Sequence, residues 1–275
     1  MTQSGRKAIF VTGAGSGIGR AVSRLFAQRG WLVGLADIDL PGMAKTAVLL
    51  PDDASSRHPL DVRDPEQWAK ALAQFMKVSG GRLDVLFNNA GIAHGGPLVE
   101  HTADQIDDLI SINFRGVVHG ALAGYPYLRT TPGSCLLNTA SAAAIHGAPG
   151  LAIYSATKFA VRGLTEALDI EWQADGIRVR DLMPGFVDTA LLAGPAGAGA
   201  ATKRDRVIAA GIEFVPVEEV AEKAWRAVHG RRVHTLVGKT ARQLSFAARW
   251  MPGRLRRQLE DFATPGGGPP GQSRR

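Results

Sequence analysis

Tyr154 and Lys158 stand four residues apart, and Ser141 precedes the tyrosine by thirteen positions. Residues i and i+4 share one face of a helix, so this spacing predicts that the lysine ammonium lies beside the phenol. A neighbouring cation favours phenolate and lowers a tyrosine pKa from its usual value of about 10. Such a phenol can give a proton to a carbonyl oxygen or take one from an alcohol. Tyr–Lys pairs are also common on ordinary helices, so the rest of the chain decides.

A glycine-rich turn follows the apolar run 7–12 and precedes a helical pattern. A turn between a strand and a helix lets the backbone approach a pyrophosphate and aims the positive end of the helix at it. Because both flanking elements are present, the motif predicts a dinucleotide site. The cofactor contacts predicted in this turn are Gly13, Ser16, Gly17, Ile18 and Gly19.

Asp37 ends the next apolar run, 31–36, and stands eighteen residues beyond Gly19. An acid at this place is suited to bind the two hydroxyls of a ribose. Its carboxylate would repel a 2′-phosphate, so the sequence favours NAD, with NADP less favoured. Arg20, directly after the turn, is the one feature that weakens this preference. In the alternative interpretation, Asp37 merely starts a turn.

Further motifs follow in order along the chain: Asn88-Asn89-Ala90-Gly91 after the fourth apolar run, and Pro184-Gly185-Phe186-Val187-Asp188-Thr189 after the sixth. With the glycine turn and the Tyr–Lys pair, they make the chain resemble the short-chain dehydrogenase/reductase family in its NAD-type form. The resemblance covers about residues 6–238. One departure is Ala140, where the family often has a second serine.

The resemblance implies a catalytic tetrad of Asn113, Ser141, Tyr154 and Lys158. In it the tyrosine transfers the proton, the serine holds the substrate oxygen, the lysine lowers the tyrosine pKa, and the asparagine supports the lysine through a water. Tyr154 and Lys158 would also contact the cofactor, the lysine through the nicotinamide ribose. The remaining implied cofactor contacts are Asp61, Val62, Asn89, Ala90, Gly91, Pro184, Gly185, Val187 and Thr189.

Small and apolar residues around these motifs predict a neutral, apolar alcohol or ketone as substrate, since no Lys or Arg is placed to pair with a carboxylate or phosphate. The predicted substrate contacts are Ser141, Ala143, His146, Tyr154 and Phe186. The expected activity is NAD-dependent interconversion of a secondary or primary alcohol with its ketone or aldehyde. An NADP-dependent carbonyl reductase and a non-catalytic NAD-binding sensor or scaffold are the alternatives. The histidines show no metal-ligand grouping, so no metal is predicted.

Apolar runs alternate with helical patterns along the chain, which predicts an α/β fold: one doubly wound Rossmann domain with a mostly parallel seven-stranded sheet. The predicted strands are 7–12, 31–36, 57–61, 83–88, 134–139, 177–183 and 233–237. The predicted helices are 18–29, 41–49, 65–78, 103–129, 152–174 and 217–229. The Ala/Gly-rich stretch 190–213 has the composition of a mobile lid or of a passive connection.

Cys135 is the one cysteine of 275 residues and lies in an apolar strand, which predicts a buried thiol and excludes a disulfide within the chain. The start of the sequence is polar, unlike a signal peptide. No apolar stretch approaches the roughly 20 residues of a membrane span. We expect a cytoplasmic protein, and the family resemblance implies a homodimer or homotetramer.

The net charge of +7 is concentrated at the C-terminus, where residues 230–275 hold 10 basic and 2 acidic residues. We expect a catalytic domain over 1–238, a basic amphipathic helical extension over 239–263 and a disordered tail over 264–275. Pro252-Gly253 divides the extension into two helices. The stretch 239–262 has two open interpretations: peripheral contact with an anionic membrane, or a helix pair that covers the domain or a subunit contact. Nucleic acid is not an expected partner, because no binding module accompanies the charge.

Overall fold

The computed structural model describes residues 5–189, 204–205, 208 and 213–263, with side chains to 260. Seven strands form one parallel sheet in the order β3-β2-β1-β4-β5-β6-β7. The strands are β1 (Ala8–Thr12), β2 (Leu32–Asp37), β3 (Ser55–Pro59), β4 (Val85–Asn88), β5 (Cys135–Thr139), β6 (Arg178–Pro184) and β7 (His234–Val237). The helices are α1 (Gly17–Gln28), α2 (Leu40–Ala47), α3 (Pro65–Val78), α4 (Ala103–Ile110), α5 (Gly116–Arg129), α6 (Ala152–Glu171), α7 (Val217–His229), α8 (Gly238–Trp250) and α9 (Pro252–Ala263).

The central strand β1 shows why this sheet is covered on both faces. All five of its residues are buried. Ile9 and Val11 point into one apolar core, while Ala8 and Phe10 point into the core on the opposite face. Alternating side chains that are apolar on both faces are typical of parallel strands with helices on either side. The predicted doubly wound α/β fold is confirmed, and every strand pair is parallel.

The strand order reverses between β1 and β4, which lie side by side although β2 and β3 intervene in sequence. The chain leaves β1 and β4 at the same edge of the sheet. In open α/β sheets the crevice outside this reversal point is where ligands bind. The glycine turn after β1 and the Asn89-Ala90-Gly91 segment after β4 therefore meet there.

Some predicted boundaries were wrong. The third strand spans Ser55–Pro59 and not 57–61, because its pairing with β2 matches Val33 to Ser55 and Asp37 to Pro59. The fourth strand starts at Val85 and not at 83, since the Asp84 carboxylate turns back to accept a hydrogen bond from the backbone N–H of Ala8. The predicted helix 103–129 is interrupted by a π-helical turn over Ser111–Arg115.

Two helices follow the last strand, and α8 packs against β6, β7 and the short 3₁₀ turn Ala142–Ala144. The first ends at Trp250 and the second begins at Pro252, as the predicted break requires. The predicted tail 264–275 lies outside the described residues, as does most of the stretch 190–213.

Candidate active site

The glycine turn is shaped by close backbone approaches that exclude side chains. Gly13 and Gly17 have φ angles of +66° and +48°, which glycine adopts without steric cost. A Cβ atom on Gly19 would lie 2.1 Å from the carbonyl oxygen of Gly13, so the first turn of α1 closes directly on the loop. The result is a concave cradle at a helix N-terminus, which fits a pyrophosphate.

Asp37 is fastened to this cradle. Its carboxylate accepts hydrogen bonds from the backbone N–H of Gly15 at 2.8 Å and of Asp39 at 2.9 Å. Arg20 does not face the crevice as a free cation, because its guanidinium donates to the Gly15 carbonyl and, at 3.0 Å, to the Thr46 hydroxyl. The arginine side chain thus braces the glycine turn through hydrogen bonds, and Asp37 is the acidic group bound to that turn.

Thr12 joins the ends of β1 and β4 at the reversal point. Its hydroxyl accepts hydrogen bonds from the backbone N–H groups of Asn89 at 2.9 Å and Ala90 at 3.1 Å. The Asn89 amide donates in turn to the Thr12 carbonyl and accepts from the Thr139 hydroxyl, at 3.0 and 3.2 Å. One side-chain network therefore fixes three strand ends, β1, β4 and β5.

Ser141 and the Tyr154/Lys158 pair meet beyond the end of β5. Ser141 caps the 3₁₀ turn by accepting from the Ala143 N–H at 3.1 Å, and its side chain acts to lower the pKa of the Tyr154 phenol. The Lys158 Nζ atom lies 5.7 Å from the centroid of the tyrosine ring and donates to the Thr139 carbonyl at 2.8 Å. Helix α6 thus presents both residues to the same crevice, as the i, i+4 spacing predicts.

Asn113 lies in the π-helical turn and is fully buried. Its amide makes two hydrogen bonds with the backbone of Ile92, donating to the carbonyl and accepting from the N–H, each at 2.8 Å. A Cβ on Gly91 would lie 3.1 Å from the Asn113 Oδ1 atom and 3.7 Å from the Lys158 Nζ atom. Asn113 and the lysine therefore converge on Gly91, and the water relay between them stays a prediction.

The pKa shifts in this group follow from burial. Burial lowers the pKa of Lys158 to about 8, since the ammonium loses its hydration. Burial raises the pKa of Tyr154, and the hydrogen bond from Ser141 opposes that rise. In the protein alone the tyrosine pKa is raised and not lowered as predicted, because burial of the phenol is the main cause and Ser141, not Lys158, is the group that opposes it.

A cavity of about 700 Å³ contains nearly the whole predicted site. The predicted residues that line it are Gly13, Ser16, Gly17, Ile18, Asp37, Asp61, Val62, Asn89, Ala90, Gly91, Ser141, Ala143, His146, Tyr154, Lys158, Pro184, Gly185, Phe186, Val187 and Thr189. Gly19 and Asn113 do not line it. They lie behind its wall, where they shape the glycine turn and the Gly91–Ile92 backbone.

The Pro184–Thr189 segment forms another part of the cavity wall. The Gly185 N–H donates to the Val237 carbonyl at 3.1 Å, and the Val215 N–H donates to the Phe186 carbonyl at 2.7 Å. A Cβ on Gly17 would lie 3.1 Å from the Thr189 methyl group, so the segment returns to the first glycine turn. These contacts close a continuous wall from β6 to α1.

Several lining residues were missed by sequence reasoning. Arg63 lines the cavity and binds Asp61 at 2.7 Å, a pairing that lowers the pKa of the Asp61 carboxyl. Thr240 and Leu244 of α8 also face the cavity, which brings the C-terminal extension into the site. The other missed apolar wall residues include Ile92, Pro149 and Leu151. The apolar spacing of Ala241 and Leu244 signalled a packed face, but the sequence did not show against what.

Comparison with known proteins decides the family. A family model described as short chain dehydrogenase matches residues 7–195. The chain belongs to the short-chain dehydrogenase family. The match ends before β7, so this strand and the helices α8 and α9 lie beyond it.

Relatives within the short-chain dehydrogenase family differ in what they act on. The chain is 35% identical over 183 residues to a meso-2,3-butanediol dehydrogenase from Serratia marcescens, covering 66% of this chain and 72% of the relative. It is 36% identical over 186 residues to a 3-oxoacyl-[acyl-carrier-protein] reductase from Thermotoga maritima, covering 66% and 75%. A short-chain dehydrogenase/reductase from Burkholderia phymatum, solved in complex with NAD, superposes with a TM-score of 0.77 at 28% identity, covering 95% and 96%. The chain is therefore an oxidoreductase of this family.

Within the described part of this short-chain dehydrogenase, no cluster of three or more His, Cys, Asp or Glu side chains could hold a metal ion. Cys135 is fully buried, and burial raises the pKa of its thiol to about 12, so it is an inert core residue. None of the helices that can be described is both long and apolar enough to cross a membrane.

Proposed function

We propose that this protein is an NAD-dependent dehydrogenase that interconverts an apolar alcohol with its ketone or aldehyde. The observation that carries the proposal is that Ser141, Tyr154 and Lys158 line the same cavity as Asp37 at the glycine turn. A proton-transfer group and a ribose-binding acid thus share one crevice. The glycine cradle between them is the part that fits a pyrophosphate.

A bound nicotinamide dinucleotide supplies the hydride donor or acceptor. In the direction of reduction, the Tyr154 phenol gives its proton to the substrate carbonyl oxygen, and the Ser141 hydroxyl donates a hydrogen bond to the same oxygen. In the direction of oxidation, the same two groups receive the alcohol hydroxyl. The nearby Lys158 ammonium stabilises the phenolate formed after proton donation, since opposite charges in a partly buried site attract strongly.

Asn113 acts on this chemistry through position. By holding both polar atoms of the Ile92 backbone, it fixes the loop that faces the Lys158 ammonium. The lysine is then held from two sides, by this loop and by the Thr139 carbonyl at 2.8 Å. We propose that the same lysine reaches the nicotinamide ribose hydroxyls, as the family resemblance implies.

The proposed preference for NAD rests on charge. Asp37 lies where the adenosine ribose would bind, and a carboxylate repels a 2′-phosphate. Arg20 donates to the Gly15 carbonyl and the Thr46 hydroxyl, so these N–H groups are not available to hold that phosphate. An NADP-dependent carbonyl reductase is the alternative, and comparing kcat/KM for the two cofactors separates them.

The proposed substrate is apolar because the part of the cavity around Ser141 and Tyr154 is lined mainly by small and apolar residues. Those near the reacting end are Ile92, Ala143, Pro149, Leu151, Phe186 and Leu244. His146 also lines this region, with its imidazole bound to the Gly147 carbonyl at 2.9 Å. A neutral substrate leaves no charge to be buried unpaired in such a wall.

A panel of alcohols with each cofactor, followed by the absorbance of the reduced nicotinamide, tests the proposal. The panel spans vicinal diols, secondary alcohols of increasing chain length and 3-hydroxyacyl thioesters. We expect turnover with NAD that improves with the apolar size of the alcohol. Tight NAD binding without turnover of any member would support the sensor alternative, and strict preference for NADP would support the reductase alternative.

The assembly expected from the resemblance, a homodimer or homotetramer, stays a proposal. Its support is that α5 and α6 leave Leu122, Phe159 and Ile170 exposed to solvent. Exposed apolar side chains on neighbouring helices are a common feature of subunit interfaces. Light scattering coupled to size exclusion measures the mass, and a monomer at micromolar concentration would contradict this proposal.

A further inference from the structure

The helix pair α8–α9 has one side that the domain already uses. Ala241 is fully buried and Leu255 nearly so. Thr240 and Leu244 face the cavity. Contacts with β6, β7 and the 3₁₀ turn hold α8 on the domain, and α9 packs on α8. The inner side of the pair is therefore packed against the domain. The outer side is free of such packing, so any partner of that side lies outside the protein.

The outer side carries large apolar residues in water. Phe246 is 58% exposed and Trp250 is 65% exposed, and the two lie one helical turn apart on α8. Met251 follows directly and is also exposed. The inner side of this amphipathic helix already packs on the domain. Aromatic residues exposed on its other side indicate a surface that contacts a partner outside the protein. We call this side, with the arginines described next, the outer face.

Both helices of the pair also carry exposed arginines. Arg242, Arg254 and Arg257 are exposed, and the Arg249 guanidinium lies 5.3 Å from the centroid of a Trp250 ring. Residues 238–263 hold six basic and two acidic residues in all. Aromatic side chains flanked by cations on a helix of limited overall hydrophobicity are typical of helices that lie in the interface of an anionic bilayer.

We propose that the outer face docks on an anionic lipid surface, with Phe246 and Trp250 inserted at the acyl boundary and the arginines among the headgroups. Charge decides against a second copy of this chain, because a twofold contact through this face would bring the same arginines together. Nucleic acid would match the charge but would leave Phe246 and Met251 without hydrocarbon to cover them. The docked helix is also the one that contributes Leu244 to the cavity wall.

Co-sedimentation of the full-length protein with vesicles tests this proposal. We expect binding to vesicles of phosphatidylglycerol and phosphatidylcholine in equal parts, and none to phosphatidylcholine alone. Binding should weaken as salt rises, since exposed charges are screened. The Phe246→Ser/Trp250→Ser variant should bind at least tenfold more weakly. The matched control is Val48→Ser/Val99→Ser, which removes two apolar residues that are at least as exposed but lie elsewhere, and it should bind like the wild type.

Charge is tested separately by Arg254→Gln/Arg257→Gln, for which we expect roughly a thirtyfold loss of affinity for the anionic vesicles. Failure of the wild type to sediment with anionic vesicles at low salt would overturn the proposal, as would equal loss in the control variant. Self-association, or binding to duplex DNA, that is abolished by Phe246→Ser/Trp250→Ser while vesicle binding is absent would assign the face to those partners. Sedimentation needs no turnover, so the result is independent of the proposed dehydrogenase activity.

Discussion

The Lys158 Nζ atom lies 5.7 Å from the centroid of the Tyr154 ring while donating a hydrogen bond to the Thr139 carbonyl. The cation is thus anchored on the end of β5 and not on the phenol. Both groups lose hydration in this position, which lowers the pKa of the lysine to about 8 and raises that of the tyrosine. In the protein alone, the phenol is therefore in its acid form at neutral pH, ready to donate.

Tyr154→Phe should remove the proton-transfer group and keep the ring. We expect kcat to fall by about 10²–10⁴-fold, the usual contribution of a positioned general acid or base. NAD affinity, measured by titration calorimetry, should change little. The control is Tyr125→Phe, whose hydroxyl bonds to Asp175 away from the cavity. A Tyr154→Phe enzyme with wild-type kcat would refute the assignment.

The pH profile should differ between the two directions of reaction. Because burial raises the tyrosine pKa, phenolate is scarce below the usual pKa and its fraction grows about tenfold with each pH unit. We expect kcat/KM for alcohol oxidation to rise with pH between about 6 and 8, where Lys158 keeps its charge, with a slope near one on logarithmic axes. Carbonyl reduction should be nearly flat over the same range. A flat oxidation profile would mean that another base accepts the proton.

Asp37→Asn should weaken the discrimination between cofactors. The substitution removes the charge and keeps an oxygen that can accept from the Gly15 N–H. We expect the ratio of kcat/KM for NAD to that for NADP to fall by about tenfold or more, since close like charges cost several kcal/mol. Asp64→Asn, at the start of α3 and outside the cavity, is the control. An unchanged ratio would remove Asp37 from cofactor selection.

Two glycine substitutions should have opposite effects on stability. Gly19→Ala places a Cβ 2.1 Å from the Gly13 carbonyl oxygen and should lower the free energy of unfolding by at least about 2 kcal/mol. Gly163→Ala, exposed in the middle of α6 with open space around it, should raise that free energy by about 0.5–1 kcal/mol. Urea denaturation of both variants checks this. Similar effects of the two substitutions would contradict the close approach at the glycine turn.

His58 should make the fold sensitive to acid. Its imidazole is buried and packs against Phe10 and Phe75, with ring centroids 5.4 and 5.8 Å away. Burial lowers its pKa from 6.5 to about 4. Between pH 6.5 and 4, His58 is protonated in the unfolded chain but neutral in the folded protein. The free energy of unfolding therefore falls as pH falls from 6.5 towards 4, by about 3 kcal/mol over the whole interval.

His58→Leu removes this titrating group, so its free energy of unfolding should fall less steeply over the same interval. Urea denaturation of the wild type and the variant at a series of pH values measures both curves. Parallel curves between pH 6.5 and 4 would show that the imidazole does not titrate differently in the two states.

The sequence predicted those parts of the site that are carried by short motifs at the ends of strands and by a fixed helical spacing. The glycine turn, Asp37, Ser141 and the Tyr154/Lys158 pair lie around one cavity because each follows a parallel strand, and parallel strands end at one edge. It could not predict that burial would raise the tyrosine pKa, since burial depends on how β5, α6 and the following loops pack. It also could not place Thr240 and Leu244, because they reach the cavity through packing of α8 on distant elements.

Element boundaries were less predictable than element types. The strand at Ser55–Pro59 contains polar residues and lies at the sheet edge, so only its pairing with β2 sets its register. The helical pattern of 103–129 continues in sequence through the π-helical turn, which adds a residue to the turn without breaking apolar periodicity. Asn113 lies in this turn and hydrogen-bonds to the Ile92 backbone, so the irregular turn positions a residue of the site.

Leu244 completes the cavity wall although it follows the last strand of the sheet. During synthesis, the glycine turn and Asp37 leave the ribosome early, whereas this part of the wall stays open until α8 has left the ribosome and docked. A chain clipped before α8 would keep the glycine turn and Asp37 but would lack the part of the cavity wall that Thr240 and Leu244 supply. Changes confined to α8 can likewise alter which alcohols fit while leaving the proton-transfer residues untouched.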